Sequence, residues 1–197
     1  MEPVRTVVLF VATALSPALL AGEQAQPSLD DPAVRSQIEV LATWAREEEI
    51  LDAVVAQNEQ GTSLEEIQVL DARWVAGEAQ SELEVMLASP CAERLRELLA
   101  IDQAYREGLV MDAQGALVCL TGPSSDYWQG DEAKWQRVFE DGGGQVFVDR
   151  PRYDSSARAI LVQISVPISI PVSGPIERSG RTIGVLTVGI DRDHFER

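Results

Sequence analysis

Histidine is nearly absent from this chain of 197 residues, which has a single one, His194, close to the C-terminus. Chain ends fray, so His194 is a poor general base, and Ser-His-Asp or Cys-His catalysis lacks a credible base. Paired carboxylates such as Asp131 and Asp154 could in principle do acid–base work, but nothing in their spacing singles them out. The composition therefore predicts a protein that is not an enzyme.

Positive charge is also scarce. Lys and Arg total 16 against 32 Asp and Glu, which leaves a net charge of −16 and a pI near 4.4. Binding to nucleic acid needs clustered basic residues that neutralise phosphates, and anionic lipid surfaces attract basic segments for the same reason. The charge balance argues against both partners. It is compatible with a secreted protein or with a cationic ligand and selects neither.

Metal-binding and nucleotide-binding motifs are missing. No His and Cys cluster suits zinc. A few carboxylates offer the hard oxygen ligands that Ca²⁺ and Mg²⁺ prefer, but for each one helix capping or a turn hydrogen bond is the commoner use. These carboxylates are Asp126, Asp131, Glu132 and Asp154. The glycines at 142–144 lack the lysine and the following helix of a phosphate-binding loop. We therefore predict no metal and no cofactor.

The chain has only two cysteines, Cys91 and Cys119. Cys91 lies at the start of a predicted helix and Cys119 in a predicted strand. Export from the cytoplasm would permit a disulfide. From the sequence, a bridge and a pair of buried thiols both remain open.

Long apolar runs are confined to the N-terminus. Arg5 precedes an apolar run over 7–20 that ends in small residues near Ala21. The run is shorter than the ~20 residues of a membrane-spanning helix and has the order of a signal peptide. We predict a signal peptide at 1–21 and export to the periplasm, with an uncleaved anchor as the alternative. Cleavage could follow Ala21, Gly22 or Ala25.

The first half of the predicted mature chain is helical. Asp31 and Pro32 form a helix start, and Gly61 is a stop signal. Between them an apolar stripe at helical spacing predicts one long helix, whose apolar face packs in the core or mediates dimerisation. Capping signals at Ser63, Ser81 and Ser89 predict three further helices.

After about residue 104 the hydrophobic period changes to that of strands. Five strands are predicted, at 105–111, 116–121, 146–149, 158–168 and 182–190, with a helix at 132–140 before the third. In the fourth strand the apolar side chains alternate with Gln163 and Ser165, so one face packs on the helices and the other faces water or a cavity. The last strand is apolar on both sides, which predicts a central position. After a leader at 22–30, these elements predict a single α+β domain at 31–197, with a helical part at 31–103 and a sheet at 104–193.

The segment 124–135 combines carboxylates with large aromatic rings. It reads Ser-Ser-Asp-Tyr-Trp-Gln-Gly-Asp-Glu-Ala-Lys-Trp. Aromatic rings favour burial and carboxylates favour water, cations or hydrogen-bond donors, so such a segment can line a ligand site. If it covers the half-polar face of the sheet, a pocket forms beneath it. The alternative is a loop leading into a surface helix, with Asp131 as its cap and the tryptophans in the core.

Four stretches resemble motifs of the Cache (PDC) family of extracytoplasmic PAS-like sensor domains. The Asp-Tyr-Trp segment is one, and the others are the hairpin at 110–115, the Tyr-Asp-Ser-Ser loop at 153–156 and the strand at 183–191. They occur in the family's order and span roughly residues 34 to 193. The resemblance implies an α+β fold with a PAS-like antiparallel five-stranded sheet, a long N-terminal helix and additional short helices packed on it.

The resemblance also implies a binding pocket between the sheet and the Asp-Tyr-Trp segment, closed by the loop at 154–156. The residues matching this site are Asp126, Tyr127, Trp128, Asp131, Trp135, Asp154, Ser156, Gln163 and Ser165. The carboxylates and rings suit an amine, whereas Lys134 and Arg152 could hold a carboxylate, so an amine, an amino acid and a carboxylate all remain open as ligands.

Most domains of this family are fused to a membrane helix and a signalling output. Since this chain ends at Arg197, we expect a stand-alone periplasmic form that signals through a separate membrane partner. The alternative is a helical interaction module that forms a homodimer and binds no ligand.

Overall fold

The computed structural model describes residues 26–139, 143–155, 157–171 and 180–195. The predicted signal peptide lies outside the described residues, as do residues 22–25 of the predicted leader. In the part of the chain that is described, no helix combines the length and the apolar character needed to cross a bilayer.

Six α-helices are described, most of them in the first half of the chain. They are α1 (Pro32–Trp44), α2 (Glu48–Gln60), α3 (Leu64–Val75), α4 (Gln80–Leu87), α5 (Pro90–Leu99) and α6 (Ala133–Gln136). The predicted caps hold for α1, where Asp31 accepts from the amide of Ala33 at 2.8 Å, and for α3, where Ser63 and Glu66 form a capping box. Ser89 caps α5. α4 begins after Ala79, so Ser81 lies within the helix and does not cap it.

The predicted long N-terminal helix is divided in two at residues 45–47. Neither Gly nor Pro marks this break. Ala45 ends α1, and Glu47 precedes α2 in an extended conformation. The Glu47 carboxylate is held by Arg94 of α5, which donates from Nε and forms an ion pair, both at 3.0 Å. The break therefore coincides with a long-range contact that helical periodicity cannot reveal.

Among the described residues, the sheet has six antiparallel strands. They are β1 (Tyr105–Met111), β2 (Leu117–Leu120), β3 (Phe147–Val148), β4 (Arg152–Asp154), β5 (Ala159–Ile170) and β6 (Arg181–Asp191), in the order β2-β1-β6-β5-β3, with β4 also paired to β5. The five predicted strands are all present, and the sixth is β4. Its three residues are too short to show a period, so only its pairing with β5 defines it.

The main core lies between the helices and one face of the sheet. It brings together α1, α2 and α5 with β5 and β6, and includes Val34, Leu41, Ile50, Val54, Leu95, Val162, Ile164, Val166, Leu186 and Val188. The predicted alternation in β5 is therefore confirmed, and the apolar stripe of α1 and α2 faces the sheet. A second core on the opposite face joins α3 and residues 127–138 to β1, β2 and Val185. Since Val185 lies in that second core, β6 is covered on both faces, as its sequence predicts.

Cys91 and Cys119 form a disulfide that joins α5 to β2, with a Cα–Cα distance of 6.0 Å. Both residues are buried in the main core. The bridge links the helical layer to an edge strand of the sheet. It resolves the choice that the sequence left open between a bridge and two free thiols.

Candidate functional site

A cavity of about 620 Å³ lies on the sheet face opposite α1, α2 and α5. Its floor is formed by β1 and β5, and its walls are formed by the loop after β2, the start of α6 and the β3–β4–β5 region. The floor residues are Glu107, Leu109, Leu161 and Gln163, and the wall residues include Thr121–Ser125, Glu132, Lys134, Asp149, Arg150 and Arg152–Ser155. The cavity lies where the strand pattern predicted a half-polar face.

Three residues in adjacent strands form one row across the floor. Glu107 of β1 pairs in register with Gly189 of β6, which pairs with Gln163 of β5. Because Gly189 has no side chain, the Glu107 side chain lies across the central strand. There its Oε1 atom accepts a hydrogen bond from Nε2 of Gln163 at 2.8 Å.

The cavity lining carries balanced charge, although the whole chain is strongly acidic. Its acidic residues are Glu107, Glu132, Asp149 and Asp154, and its basic residues are Arg106, Lys134, Arg150 and Arg152. Lys134 pairs with Glu132 at 3.0 Å, and Arg152 pairs with Asp149 at 3.3 Å. Arg106 instead binds Asp191, and this hydrogen bond is the main reason that the pKa of Asp191 lies below its usual value. The lining can therefore face a ligand with either sign of charge.

Two of the residues predicted from the sequence, Asp154 and Gln163, line this cavity. The Oδ1 atom of Asp154 accepts from the amide of Ala157 at 2.7 Å and so also shapes the β4–β5 turn. Ser156, predicted on the same loop, lies outside the described residues.

The aromatic residues of the predicted site lie in the second core, beside the cavity rather than on its lining. Tyr127 packs against Trp74 with ring centroids 5.7 Å apart, and Trp135 stacks on Phe139 at 5.0 Å. Trp128 is half-buried, and its indole N–H donates to the carbonyl of Gln114 at 2.8 Å.

The tryptophans also fix the β1–β2 turn. The indole N–H of Trp135 donates to the carbonyl of Asp112 at 3.0 Å. Gly115 has φ +81°, and a Cβ atom there would lie 2.4 Å from the Cα atom of Gly130. These residues therefore support the wall of the cavity by packing the segment 127–135 against the hairpin.

Three further predicted residues do not line the cavity. Asp126 is half-buried, and its Oδ1 atom accepts from the side-chain amide (Nε2) of Gln129 and from the Ser125 hydroxyl. Asp131 is exposed. Ser165 is buried beneath the surface of the sheet, where its hydroxyl lies 2.8 Å from that of Thr187.

Residues of α3, which the sequence analysis did not select, hold the segment 124–128. The Oδ1 atom of Asp71 accepts from the amides of Tyr127 and Trp128 at 2.8 and 2.9 Å. The indole N–H of Trp74 donates to the carbonyl of Ser124 at 3.0 Å. No local pattern signals these contacts, since they join residues at least 50 positions apart. Glu107 was also missed, although its alternation with Leu109 places it on the half-polar face.

Within the described ranges, no group of three His, Cys, Asp or Glu side chains is arranged to hold a metal ion. His194 lies beside α1, where its Nε2 atom is 3.0 Å from Nε2 of Gln37. It therefore lies with the helical layer, on the side of the sheet away from the cavity.

No protein-family model matches the chain, and no curated protein sequence matches it. Solved structures with similarity include the ligand-binding domain of the Campylobacter jejuni chemoreceptor Tlp3 in complex with 4-methylisoleucine, at 16% identity and a TM-score of 0.40. That match covers 83% of this chain and 60% of the other. The sensor domain of the V. cholerae histidine kinase DctB matches at 10% identity and a TM-score of 0.38, covering 82% and 59%.

An extracellular ligand-binding receptor from Desulfohalobium retbaense matches at 14% identity and a TM-score of 0.38, covering 81% of this chain and 26% of the receptor. The chain thus spans less than two thirds of the length of each of these proteins, and likeness at this level carries no argument about function. The order of the strands and the packing of the helices on the sheet define the fold. The chain has the PAS-like α+β fold that its resemblance to the Cache family implies.

Proposed function

We propose that this chain is an exported sensor domain that binds a small molecule in the cavity above Glu107 and Gln163 without transforming it. The observation that carries the proposal is the cavity itself. Its volume of about 620 Å³ lies within the range of roughly 300–1,000 Å³ usual for small-molecule sites. Its floor combines two apolar side chains with two polar ones, and such mixed linings orient a ligand.

The site differs in part from the set of residues predicted by resemblance. We assign direct ligand contact to Asp154 and Gln163, which line the cavity. Tyr127, Trp128 and Trp135 have a supporting role, because their hydrogen bonds and packing hold the wall. The lining charges suit an amine, an amino acid or a carboxylate, and these define the ligands to be tested.

Three observations support export and a binding role without catalysis. The N-terminal sequence has the order of a signal peptide. The disulfide between Cys91 and Cys119 is of the kind that persists in oxidising compartments such as the periplasm. The single histidine lies with the helical layer, away from the cavity. We propose further that the ligand-bound domain docks on a membrane signalling partner.

The alternative, an interaction module that dimerises through its helices, draws less support from the structure. The apolar stripe that suggested such dimerisation packs against the sheet within one chain. This alternative predicts tight self-association by light scattering and melting that does not respond to any small molecule.

A thermal-shift screen of amines, amino acids and carboxylates at millimolar concentration tests the proposal. A ligand at 100 times its dissociation constant stabilises the protein by about 2.7 kcal/mol, which corresponds to a shift of about 5–10 °C for a chain of this size. Asp154→Asn should need about ten times more ligand to give the same shift in melting temperature. Asp131→Asn is the matched control, because Asp131 is exposed and does not line the cavity. The proposal fails if no compound in the screen raises the melting temperature.

A further inference from the structure

We propose that Glu107 is the residue that selects a cationic group on the ligand, and that Gly189 enables this by leaving room for the Glu107 side chain. The inference rests on the proposed function, since it assigns a ligand class to the same cavity. It rests on the row Glu107–Gly189–Gln163 and was not implied by the sequence motifs.

The position of Glu107 depends on the missing side chain at residue 189. A Cβ atom on Gly189 would lie 2.5 Å from Cγ and 2.6 Å from Oε1 of Glu107, which is closer than atoms can approach. Both clashing atoms belong to a flexible side chain and not to the backbone. Even an alanine at residue 189 would therefore push Glu107 away from the floor, while the strand itself could remain in place.

Glu107 differs from the other acidic residues of the cavity in its partners. Glu132 and Asp149 each pair with a basic residue of the lining, and Asp154 accepts a backbone hydrogen bond. Within the described part of the chain, Glu107 forms no ion pair, and its hydrogen bond comes from the neutral amide of Gln163. A half-buried carboxylate without a counter-ion gains more from a cation than one that is already paired.

The geometry favours an ammonium or guanidinium group over a metal ion. Ca²⁺ takes six to eight oxygen ligands, and Mg²⁺ takes six. Glu107 is the only carboxylate on this floor, and its neighbour there is an amide. An ammonium group needs only a few acceptors for its three N–H donors. The carboxylate of Glu107, held on the floor by the side-chain amide of Gln163, supplies such acceptors.

Isothermal titration with paired probes of equal carbon number tests the inference. The pairs are n-propylamine with propionate and putrescine with succinate, and β-alanine carries both charges. Glu107→Gln keeps the size of the side chain and an oxygen that accepts from Gln163. This variant should raise the dissociation constants of the amines and of β-alanine by about tenfold to a hundredfold, the usual range for a lost charge-assisted hydrogen bond. The dissociation constants of propionate and succinate should change by less than about twofold.

Two further variants separate charge from position. Gly189→Ala retains every charge but displaces Glu107, so it should also raise the dissociation constants of the amines by about tenfold. Glu59→Gln removes one negative charge from the exposed end of α2 and is the matched control, with wild-type affinities expected. Thermal melting without ligand shows that each variant is folded.

The possible failures can be told apart. A wild-type chain that binds the carboxylates and not the amines overturns the role of Glu107 and leaves the proposed function standing. The same holds if Glu107→Gln binds the amines as tightly as the wild type, or weakens both probe classes equally. A wild-type chain that binds no probe and no other compound of the screen overturns the proposed function together with this inference.

Discussion

At the residue scale, the fold changes the chemistry of Tyr127. Burial, with a smaller contribution from the negative charge of Asp112, raises the pKa of the Tyr127 phenol to about 12. The ring is 7% exposed and packs against Trp74 in the second core. The folded chain therefore keeps the phenol neutral at pH values at which tyrosine in the unfolded chain loses its proton, near pH 10.

This difference predicts a loss of stability in alkaline solution. The raised pKa favours the folded state fully below pH 10, and this stabilisation is lost as the pH rises from 10 to about 12. Two pKa units correspond to about 2–3 kcal/mol. Urea denaturation at pH 9 and pH 11.5 should therefore show a smaller decrease in unfolding free energy for Tyr127→Phe than for the wild type. Tyr153→Phe, the same change at an exposed position, is the control. Equal decreases in the wild type and Tyr127→Phe would contradict the prediction.

Sequence analysis identified two residues of the cavity lining, Asp154 through a motif and Gln163 through local periodicity. Gln163 alternates with apolar residues in a strand, so its place on the half-polar face followed from the pattern. The same alternation holds for Glu107, which the motif resemblance passed over. The rings of Tyr127 and Trp135 follow a motif, but whether such a ring meets a ligand or fills the second core depends on α3, which the local sequence does not reveal. Their direct role in binding stays a prediction.

At the scale of elements, α3 determines where the wall of the cavity stands. The Asp71 carboxylate accepts two backbone amides of the segment 124–128, and Trp74 binds a carbonyl of the same segment. Residues 121–125, which lead into this segment and include its first two residues, line the cavity. A change in α3 therefore reaches the site without contact with the ligand.

Removal of the Asp71 carboxylate should loosen this wall. In Asp71→Ala the amides of Tyr127 and Trp128 lose their acceptor, which costs about 2–4 kcal/mol of unfolding free energy for two unsatisfied donors. Hydrogen exchange followed by NMR should show faster exchange at these two amides, whereas the amides of β5 keep their protection. Asp52→Ala, on the exposed side of α2, is the control. Unchanged exchange at both amides would show that Asp71 does not hold the segment.

Elements whose limits depend on tertiary contacts were the ones that sequence analysis described least well. The caps at Asp31, Ser63 and Ser89 are local, so the starts of three helices followed from sequence. The break after Trp44 lies beside the contact between Glu47 and Arg94, and β4 is defined by its pairing with β5. Both features arise from residues that are distant in sequence.

At the scale of the whole molecule, the disulfide joins the helical layer to the sheet. Cys91 and Cys119 close a loop with a sequence separation of 28 residues. The loop-closure relation gives a stabilisation of about 3–4 kcal/mol for a loop of this length, mainly through the unfolded chain. The double variant Cys91→Ala/Cys119→Ala should lose roughly this amount in urea denaturation. A reducing agent should lower the stability of the wild type and have no effect on the double variant. If the reducing agent leaves the wild type unchanged, the bridge does not contribute to stability.

The overall architecture was largely predictable, because it rests on repeated signals. The change from helical to strand periodicity near residue 104 and the apolar final strand together indicate a helical layer on an antiparallel sheet. The exact strand count was less accessible, since it depends on the short strand β4. Its three residues show too little periodicity to be distinguished from a loop.

The two sides of the cavity differ in how much hydrogen bonding holds them. β5 and β6, which run beneath the site, are 12 and 11 residues long, whereas β3 and β4 at the outer edge are two and three residues long. Opening the cavity at the chain between them, 149–151, would break fewer backbone hydrogen bonds than separating β5 from β6. A solute would thus enter most readily at this outer edge, and it would reach a floor whose central strands share the main core with the helices behind them.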